Sequence, residues 1–234
     1  MRVAVVRFPG SNCDGDALKA LRQIGIDAAY AWHTESSLDD FDGAFIPGGF
    51  SYGDYLRCGA IASRSPVMGA VQKLATAGKP VLGACNGFQI LCEAGLLPGA
   101  LVRNEQERFV CRWTDLDSEG ASRWQPGGPI RLPIAHGEGR YVLDPKSLDA
   151  LEARGGVAFR YQADANGDTP NGAVNRIAGV TNEAGNVLGM MPHPERCSEA
   201  ELGGTDGLAF WRGLALAQVL GAAGAAGVQT VVGS

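Results

Sequence analysis

Residues 79–89 read KPVLGACNGFQ, and this stretch decides the fold. Residues 80–84 form a short, mostly apolar run that follows a Gly-Lys turn, which predicts a short strand. Beyond the cysteine, apolar residues recur on one face at helical spacing and predict a helix over residues 87–94. The residues of that face are Phe88, Leu91, Cys92 and Leu96.

The turn between this strand and this helix carries a cysteine. Residues 83–87, GACNG, fit the G-x-nucleophile-x-G elbow of hydrolases, with Cys85 at the position of the nucleophile. We expect the two glycines to be required because a side chain at either position would clash with the neighbouring strand or helix. The elbow predicts that the Cys85 sulfur projects into solvent above the sheet. The free N–H groups at the helix N-terminus would favour a reactive thiolate there.

Strand-like and helical segments alternate around this unit, which predicts right-handed βαβ units and a sheet covered on both faces. We therefore expect an α/β fold with a single, doubly wound, mainly parallel sheet. Further strands are predicted at residues 2–8, 27–32, 43–47, 177–181 and 186–191, and further helices at residues 14–24, 60–77 and 206–220.

The pattern changes between residues 101 and 162, where short strand-like pieces are separated by Gly and Pro. These pieces predict a small antiparallel elaboration of the sheet. They lie at residues 108–114, 129–135, 140–143 and 157–162, with polar loops at 118–129 and 163–175. No change in composition marks a second domain, so we expect one domain over residues 1–220 and an Ala/Gly-rich tail over 221–234.

A histidine near the C-terminus is the candidate partner of the cysteine. The chain has three histidines, and His193 lies in MPHPER at residues 191–196, directly after a predicted strand. Pro194 favours extended backbone at His193, and Glu195 follows two residues later, so the two side chains can meet. A carboxylate so placed fixes the imidazole tautomer and stabilises its charged form. Because open α/β sheets gather their sites at the strands' C-terminal ends, Cys85 and His193 should lie close together. The alternative is a surface turn whose His and Glu are merely solvated.

A glycine-rich turn, PGGFSYGD at residues 47–54, follows another predicted strand and should reach the same rim. Adjacent glycines leave backbone N–H groups open to a ligand. One such N–H and that of Asn86 would form a two-donor oxyanion hole. The alternative is an ordinary glycine turn. No nucleotide-binding glycine loop occurs in the chain, so any ATP-dependent step would need another fold or another polypeptide.

Composition excludes several classes of function. The chain has 234 residues and a formal net charge of -5, which argues against a nucleic-acid partner. Its six cysteines lack the spacing of zinc sites or disulfide frameworks, so we expect no metal and a reducing, cytoplasmic location. The apolar stretch at residues 213–228 is rich in Ala and Gly and falls short of a membrane span.

With these motifs together, the chain resembles the class I, triad-type glutamine amidotransferases. More narrowly, it resembles the glutaminase subunits of phosphoribosylformylglycinamidine synthases, enzymes of purine biosynthesis. The general resemblance rests on the cysteine elbow and the late His-x-Glu. The narrower one rests on RFPGSNCD at 7–14, GGFSYGDYLR at 48–57, PIAHGEG at 133–139 and GMMPHPER at 189–196. Cys58 stands where a small residue such as alanine is expected.

The resemblance implies a flavodoxin-like amidotransferase fold and a role for each matching position. It implies a triad of Cys85 as nucleophile, His193 as base and acid, and Glu195 as the residue that orients the imidazole. It places the oxyanion hole at the backbone amides of Gly49 and Asn86. It places Gly48, Gln89 and His136 at the glutamine site, although His136 could equally pack beside a partner subunit.

The resemblance also implies the reaction and its partners. This chain would hydrolyse glutamine to glutamate and ammonia through a cysteine thioester and bind no cofactor itself. Ammonia would pass to a synthase subunit that uses ATP and magnesium to make formylglycinamidine ribonucleotide, with a small accessory subunit in the complex. Three alternatives remain open: a stand-alone cysteine amidohydrolase or peptidase, a non-enzymatic docking subunit with a vestigial pocket, and the glutaminase of another synthase, such as one for GMP or anthranilate.

Overall fold

The computed structural model describes residues 1–119, 124, 128–163, 169–208 and 210–211. Within those residues, the strands span Arg2–Arg7 (β1), Asp27–Trp32 (β2), Gly43–Ile46 (β3), Val81–Ala84 (β4), Ala100–Val102 (β5), Val110–Ser118 (β6), Ile130–His136 (β7), Arg140–Val142 (β8), Val157–Tyr161 (β9), Ile177–Thr181 (β10) and Val187–Met190 (β11). The helices span Asp14–Gln23 (α1), Pro66–Thr76 (α2), Asn86–Glu93 (α3) and Pro145–Ala153 (α4).

Among the described strands, nine form one sheet in the order β2-β1-β3-β4-β11-β10-β9-β6-β7. The first five of these strands are mutually parallel, and their order is that of flavodoxin-like sheets. Every residue of β3, β4 and β11 is buried, as expected for central strands that are covered on both faces. The predicted α/β fold with a mainly parallel sheet core is confirmed, and both β4 and β11 are parallel strands as the sequence indicated.

Helices cover both faces of this sheet. Phe45 and Ile46 are successive residues of β3, so their side chains lie on opposite faces. The ring of Trp211 packs against Phe45, with ring centroids 4.9 Å apart. On the other face, Gly87 of α3 lies directly against Ile46. The sheet is therefore doubly wound, and α3 sits over the strand that precedes the glycine-rich turn.

The antiparallel part is larger than a small elaboration, because it continues the same sheet. Strands β10, β9, β6 and β7 follow one another as antiparallel neighbours beyond β11. All residues of β10 are buried, so its sequence resembles that of a central parallel strand. Strands β5 and β8 form a separate two-stranded sheet. The interruptions by Gly and Pro revealed the strands but not the sheet to which they belong.

The predicted helix over residues 60–77 is divided in two. A short 3₁₀ turn spans Ala62–Arg64, and α2 begins at Pro66. Ser65 between them has extended backbone (ψ 148°) because the proline ring disfavours helical geometry in the residue before it. Pro66 itself fits the first position of a helix, where no N–H is needed.

Two elements were not predicted, β5 and α4. The signal for α4 is present in the sequence, because the Asp144 carboxylate accepts the N–H of Ser147 at 3.0 Å and Pro145 follows the cap. The closing helix begins at Asp206 as predicted, but most of residues 206–220 and the whole 221–234 tail lie outside the described residues. Among the described helices, none has the length and apolarity that crossing a membrane requires.

Candidate active site

The elbow at Cys85 has the strained backbone that this motif requires. Strand β4 ends at Ala84, α3 begins at Asn86, and Cys85 between them has φ 49° and ψ −106°. A non-glycine residue at positive φ is costly and persists only where its surroundings hold it. Here the Cys85 N–H donates to the Met190 carbonyl at 2.7 Å, which ties the elbow to the end of β11. The cysteine therefore stands between two parallel strands, at their C-terminal ends.

The two glycines of the elbow are required for close packing, as the sequence predicted. A Cβ on Gly83 would lie 2.5 Å from the backbone of Gly87. A Cβ on Gly87 would collide with the backbone carbonyl of Ile46 in β3. Because these contacts are with backbone atoms, the neighbouring segments cannot shift to make room for a side chain. The glycines thus allow α3 to lie directly on β4 and β3, which fixes the height of Cys85 above the sheet.

The Cys85 sulfur does not project into solvent, and that expectation is wrong. Cys85 is only 6% exposed, and its thiol donates to the carbonyl of Ala135 at 3.7 Å. Ala135 belongs to β7, the last strand of the antiparallel half. The elbow does raise the sulfur above the sheet, but the outer edge of β7 lies over it. The sequence placed no strand there.

The edge of β7 also holds the late histidine loop. The carbonyl of Pro133 accepts the His193 N–H at 2.9 Å, and the carbonyl of Arg131 accepts the Cys197 thiol at 3.6 Å. Residues 131, 133 and 135 therefore turn their carbonyls away from β6 and towards the site. A proline fits this edge position because no ladder partner needs its missing N–H. Cys85 and His193 therefore both contact the same edge of β7.

His193 and Glu195 form a buried pair. Their Nδ1 and Oε1 atoms are 2.8 Å apart, and the two residues are 2% and 1% exposed. His193 has the extended backbone predicted from Pro194, with φ −106° and ψ 90°. The following residues, Pro194–Arg196, form a 3₁₀ turn, because proline suits the first helical position. This turn brings the carboxylate back to the ring.

The pKa of His193 is raised well above its ordinary value. Burial lowers it, but the nearby Glu195 carboxylate and Cys85 sulfur raise it by more. The Nδ1 atom faces Glu195, so Nδ1–H donates to that carboxylate and Nε2 is the nitrogen that gains or loses the proton. Nε2 is buried and has no partner with hydrogen-bond geometry among the described residues. The ring is therefore held by one nitrogen, while the other is available beside Cys85.

Two backbone N–H groups are available at the predicted oxyanion hole. Among the described residues, the N–H groups of Gly49 and Asn86 donate no hydrogen bond. Gly49 has φ 154°, and a Cβ there would lie 2.9 Å from the Asn12 nitrogen, so the position accepts only glycine. The side chain of Asn86 accepts the Ser51 N–H at 3.1 Å, which links the glycine-rich turn to the start of α3. This hydrogen bond therefore fixes the Gly49 and Asn86 segments relative to each other.

Gln89 has protein partners at both ends of its side chain. Its Oε1 accepts from Asn86 Nδ2 at 2.9 Å, and its Nε2 donates to the Glu138 carbonyl at 2.6 Å. The second hydrogen of Nε2 remains available for a ligand. Gln89 therefore connects the first turn of α3 with residues 137–139, beside His136. Its contact with bound glutamine stays a prediction.

His136 is buried and neutral at physiological pH. Burial and the neighbouring His193 lower the pKa of His136 to about 3. Its Nε2 accepts from Asn171 Nδ2 at 3.1 Å, which places the ring proton on Nδ1. Nδ1 is buried and has no partner among the described residues. A Cβ on Gly139 would collide with the ring, so the glycine of this segment makes room for it.

The low pKa of His136 predicts how stability depends on pH. The unfolded chain binds a proton at His136 near pH 6.5, whereas the folded protein does not until about pH 3. Stability from this group is therefore complete above pH 6.5 and falls by up to about 1.4 kcal/mol per pH unit below it. We expect His136→Gln, which keeps an acceptor for Asn171, to flatten that fall. Urea unfolding between pH 5 and pH 7.5 measures it, and parallel curves for both proteins would exclude this role.

Gly48 lies directly against the imidazole of His193. A Cβ on Gly48 would collide with Cε1 of His193 and lie 2.9 Å from Nδ1. The Gly48 N–H also donates to Glu195 Oε1 at 3.4 Å. The backbone of the glycine-rich turn thus limits where the ring can lie. The contact of Gly48 with glutamine stays a prediction.

This packing predicts a large effect of one methyl group. We expect Gly48→Ala to displace the imidazole and lower kcat for glutamine hydrolysis at least about 100-fold, since small misplacements of catalytic groups have effects of that size. Gly69→Ala in α2 is the matched control, because a Cβ there meets nothing within 4 Å. Steady-state kinetics on the assembled enzyme measure both variants. Normal turnover by Gly48→Ala would mean that the ring does not rest against Gly48.

Sequence analysis assigned no role to Cys13. The structure places its Sγ 4.0 Å from His193 Nδ1, on the same side of the ring as Glu195. Burial raises the pKa of the Cys13 thiol, so it is protonated. The only available signal was the position of Cys13 within RFPGSNCD at 7–14, which carries no spacing to a partner 180 residues away.

Comparison with known proteins identifies the family of this chain. The family model for the CobB/CobQ-like glutamine amidotransferase domain matches residues 1–204. Phosphoribosylformylglycinamidine synthase subunit PurQ of one Thermus thermophilus strain is 56% identical over 224 residues, which are 92% of this chain and 97% of the relative. The PurQ protein of a second strain of the same species has the same identity and coverage.

Solved structures give the same result. A chain in the structure of PurLQS from Thermotoga maritima is 44% identical, with a TM-score of 0.83, and the match covers 92% of this chain and 97% of that one. A putative GMP synthase protein from Thermoplasma acidophilum shares only the fold, with 17% identity, a TM-score of 0.64 and coverage of 96% and 98%. The chain therefore belongs to the glutamine amidotransferase family and, within it, to the PurQ subunits of phosphoribosylformylglycinamidine synthase.

Proposed function

We propose that this chain is a glutaminase subunit that hydrolyses glutamine and delivers ammonia to an ATP-dependent synthase making formylglycinamidine ribonucleotide. One observation supports this most directly: a strained Cys85 elbow stands beside a buried His193–Glu195 pair whose Nε2 is available. The names of the PurQ relatives support the choice of synthase. The six cysteines are all free, which suits a reducing cytoplasm.

In the first half of the proposed reaction, His193 Nε2 takes the Cys85 proton and the thiolate attacks the side-chain carboxamide carbon of glutamine. The thiol must turn from the Ala135 carbonyl towards Nε2, which is a rotation about one side-chain bond. Charge then develops on the amide oxygen, and the N–H groups of Gly49 and Asn86 receive it. Loss of one such donor costs about 3 kcal/mol of barrier, roughly a hundredfold in rate.

In the second half, His193 acts first as an acid and then as a base. Nε2–H protonates the departing nitrogen, so ammonia leaves and a γ-glutamyl thioester remains on Cys85. Nε2 then takes a proton from water, which attacks the thioester carbon; the C–S bond breaks, glutamate leaves, and Nε2 returns the proton to the Cys85 sulfur. Glu195 stabilises the imidazolium that forms in each half and keeps Nδ1 towards itself. Ammonia departs before water enters, so the covalent route suits delivery to a partner.

The synthase chemistry belongs to a partner rather than to this chain. No nucleotide-binding glycine loop occurs in the sequence, so ATP and magnesium would bind to the synthase subunit. The matched Thermotoga maritima structure is one of PurLQS, a name that joins PurL, PurQ and PurS. By that analogy we propose two partners for this chain, a synthase subunit together with a small accessory subunit.

The rival functions have less support. The residues of a stand-alone amidohydrolase or peptidase would be the same, so geometry alone does not separate it from a glutaminase. A vestigial docking subunit would have lost at least one member of the set, whereas Cys85, His193, Glu195, Gly49 and Gln89 are all present. The putative GMP synthase protein shares the fold, but at 17% identity against 56% for PurQ.

Assays with and without the synthase partner test the proposal. We expect glutamine hydrolysis to be strong in the assembled complex and to yield one amidine product per glutamate formed. Asparagine and small peptide amides should not be cleaved by this chain alone. Strong hydrolysis of those amides without the partner would favour the stand-alone hydrolase, and no glutamate release from the complex would exclude a glutaminase.

A further inference from the structure

Three side chains of the types that bind metals meet on one side of the imidazole. Cys13 Sγ, a ring nitrogen of His193 and a carboxylate oxygen of Glu195 all lie within 4.8 Å of one another. All three residues are buried. Cys13 is not needed by the proposed reaction, which uses the opposite ring nitrogen and Cys85.

A second observation points to an open coordination site. Glu195 is only 1% exposed, yet its Oε2 has no hydrogen-bond partner among the described residues. A buried carboxylate oxygen without a partner is unfavourable, and buried charges are normally paired or bound to a metal. The Oε1 atom already accepts from His193 Nδ1, so Oε2 is the oxygen that lacks a partner. A cation at this position would satisfy it.

The distances suit a tetrahedral ion such as Zn²⁺. With Zn–S near 2.3 Å and Zn–N near 2.0 Å, a tetrahedral ion holds its sulfur and nitrogen ligands about 3.5 Å apart. Cys13 Sγ and His193 Nδ1 are now 4.0 Å apart, so only a small approach is required. Binding through Oε2 requires the 2.8 Å hydrogen bond between Nδ1 and Glu195 Oε1 to break, because Nδ1 becomes a ligand of the ion.

We propose that Cys13, His193 and Glu195 form a binding site for a thiophilic divalent cation, represented by Zn²⁺, that inhibits the enzyme. The ion would reach the site through a cavity of about 440 Å³ whose lining includes Glu195, Asp16 and Arg196. Water from this cavity would supply the fourth ligand. Thiolate and imidazole ligands select zinc, cadmium or cobalt(II) over magnesium. Magnesium used by a synthase partner would therefore leave the site empty.

Inhibition follows from the tautomer of His193 and rests on the proposed function. Coordination releases the Cys13 thiol proton to solvent and requires the Nδ1 lone pair, so the ring proton moves to Nε2. A ring bound at Nδ1 and protonated at Nε2 has no lone pair to accept the proton of Cys85. The ion also separates Glu195 from the ring. Both changes stop the first step, while the substrate pocket stays open.

Cobalt(II) absorbance tests binding without any assay of activity. We expect Cys85→Ala protein to show a sulfur-to-cobalt charge-transfer band with one equivalent of Co²⁺, and Cys85→Ala/Cys13→Ala protein to lack it. Cys85→Ala/Cys111→Ala is the matched control, because Cys111 is exposed on β6 and should leave the band unchanged. A band that survives the loss of Cys13, or none in Cys85→Ala protein, would overturn the site. If Cys13→Ala does not fold, Cys13→Ser replaces it, since a serine oxygen gives no such band.

Zinc inhibition of the assembled complex tests the consequence. We expect Cys13→Ser to hydrolyse glutamine normally without zinc and to need at least tenfold more Zn²⁺ for half-inhibition than the unmodified protein. Magnesium at the same concentrations should inhibit neither. Equal sensitivity of both proteins would mean that zinc acts through Cys85 and Nε2, and would overturn the inhibitory site. If none of the proteins hydrolysed glutamine even without zinc, the proposed function would be refuted. The cobalt experiment would still test the metal site, because it does not require glutamine hydrolysis.

Discussion

Replacing Cys85 by alanine is expected to abolish glutamine-dependent synthesis in the assembled complex. The thioester cannot form without this sulfur, because the other thiol near His193, that of Cys13, lies on the Nδ1 side of the ring. Synthesis from added ammonium should be unchanged, because that step needs only the synthase. Parallel assays with glutamine and with ammonium chloride, at the same complex concentration, measure the two activities.

The fold should tolerate this change, so the result is interpretable. Alanine removes the 3.7 Å thiol contact with the Ala135 carbonyl but keeps the Cys85 backbone in the elbow. Cys92→Ala, which removes a half-buried thiol from α3, is the matched control for loss of a thiol. It should retain both activities. Loss of both activities in Cys85→Ala would indicate a structural cysteine, and survival of both would remove Cys85 from the reaction.

Replacing Glu195 by glutamine is expected to lower kcat for glutamine hydrolysis by roughly 10²–10⁴, as removal of the acid from comparable triads does. The amide has nearly the same shape and can still accept from Nδ1, but it carries no charge to stabilise the imidazolium. Because the carboxylate raises the pKa of His193, the substitution should also lower that pKa. Steady-state kinetics measure the first effect, and NMR titration of the ring measures the second.

The pKa measurement separates catalysis from structure. A variant that has merely lost packing would show a lower melting temperature without a specific change in the His193 titration. Glu199→Gln is a suitable control, because Glu199 lines the cavity and pairs with Lys19 rather than with the imidazole. Unchanged turnover in Glu195→Gln would remove this carboxylate from the triad.

Local sequence patterns were sufficient for the parallel half of the fold and for the elbow. Residues 83–87 combine a buried strand, two glycines and a helix start within a few positions, so short-range rules specify the backbone. The same holds for His193, where Pro194 and Glu195 are neighbours in sequence. In each case the residues that determine the geometry lie within one turn or strand.

The contacts that sequence did not predict are long-range. The edge of β7 covers Cys85 because four antiparallel strands continue the sheet and bring Ala135 back to the elbow, 50 residues away. Cys13 meets His193 across 180 residues. Neither segment has a sequence pattern that identifies its contact partner. A strand with alternating hydrophobicity can pair at many places in a sheet, and a single cysteine can contact many residues. Local sequence patterns therefore could not predict that the Cys85 thiol is buried.

Mass spectrometry after covalent labelling tests the central claim most directly. A glutamine analogue with a diazoketone in place of the carboxamide should lose N₂ and alkylate the nucleophile of the assembled complex. We predict one adduct, on Cys85 within residues 83–89, at a rate that matches the loss of glutamine hydrolysis and that excess glutamine slows. Inactivation with the label on another residue, or with Cys85 unmodified, would contradict the assignment of Cys85 as the nucleophile.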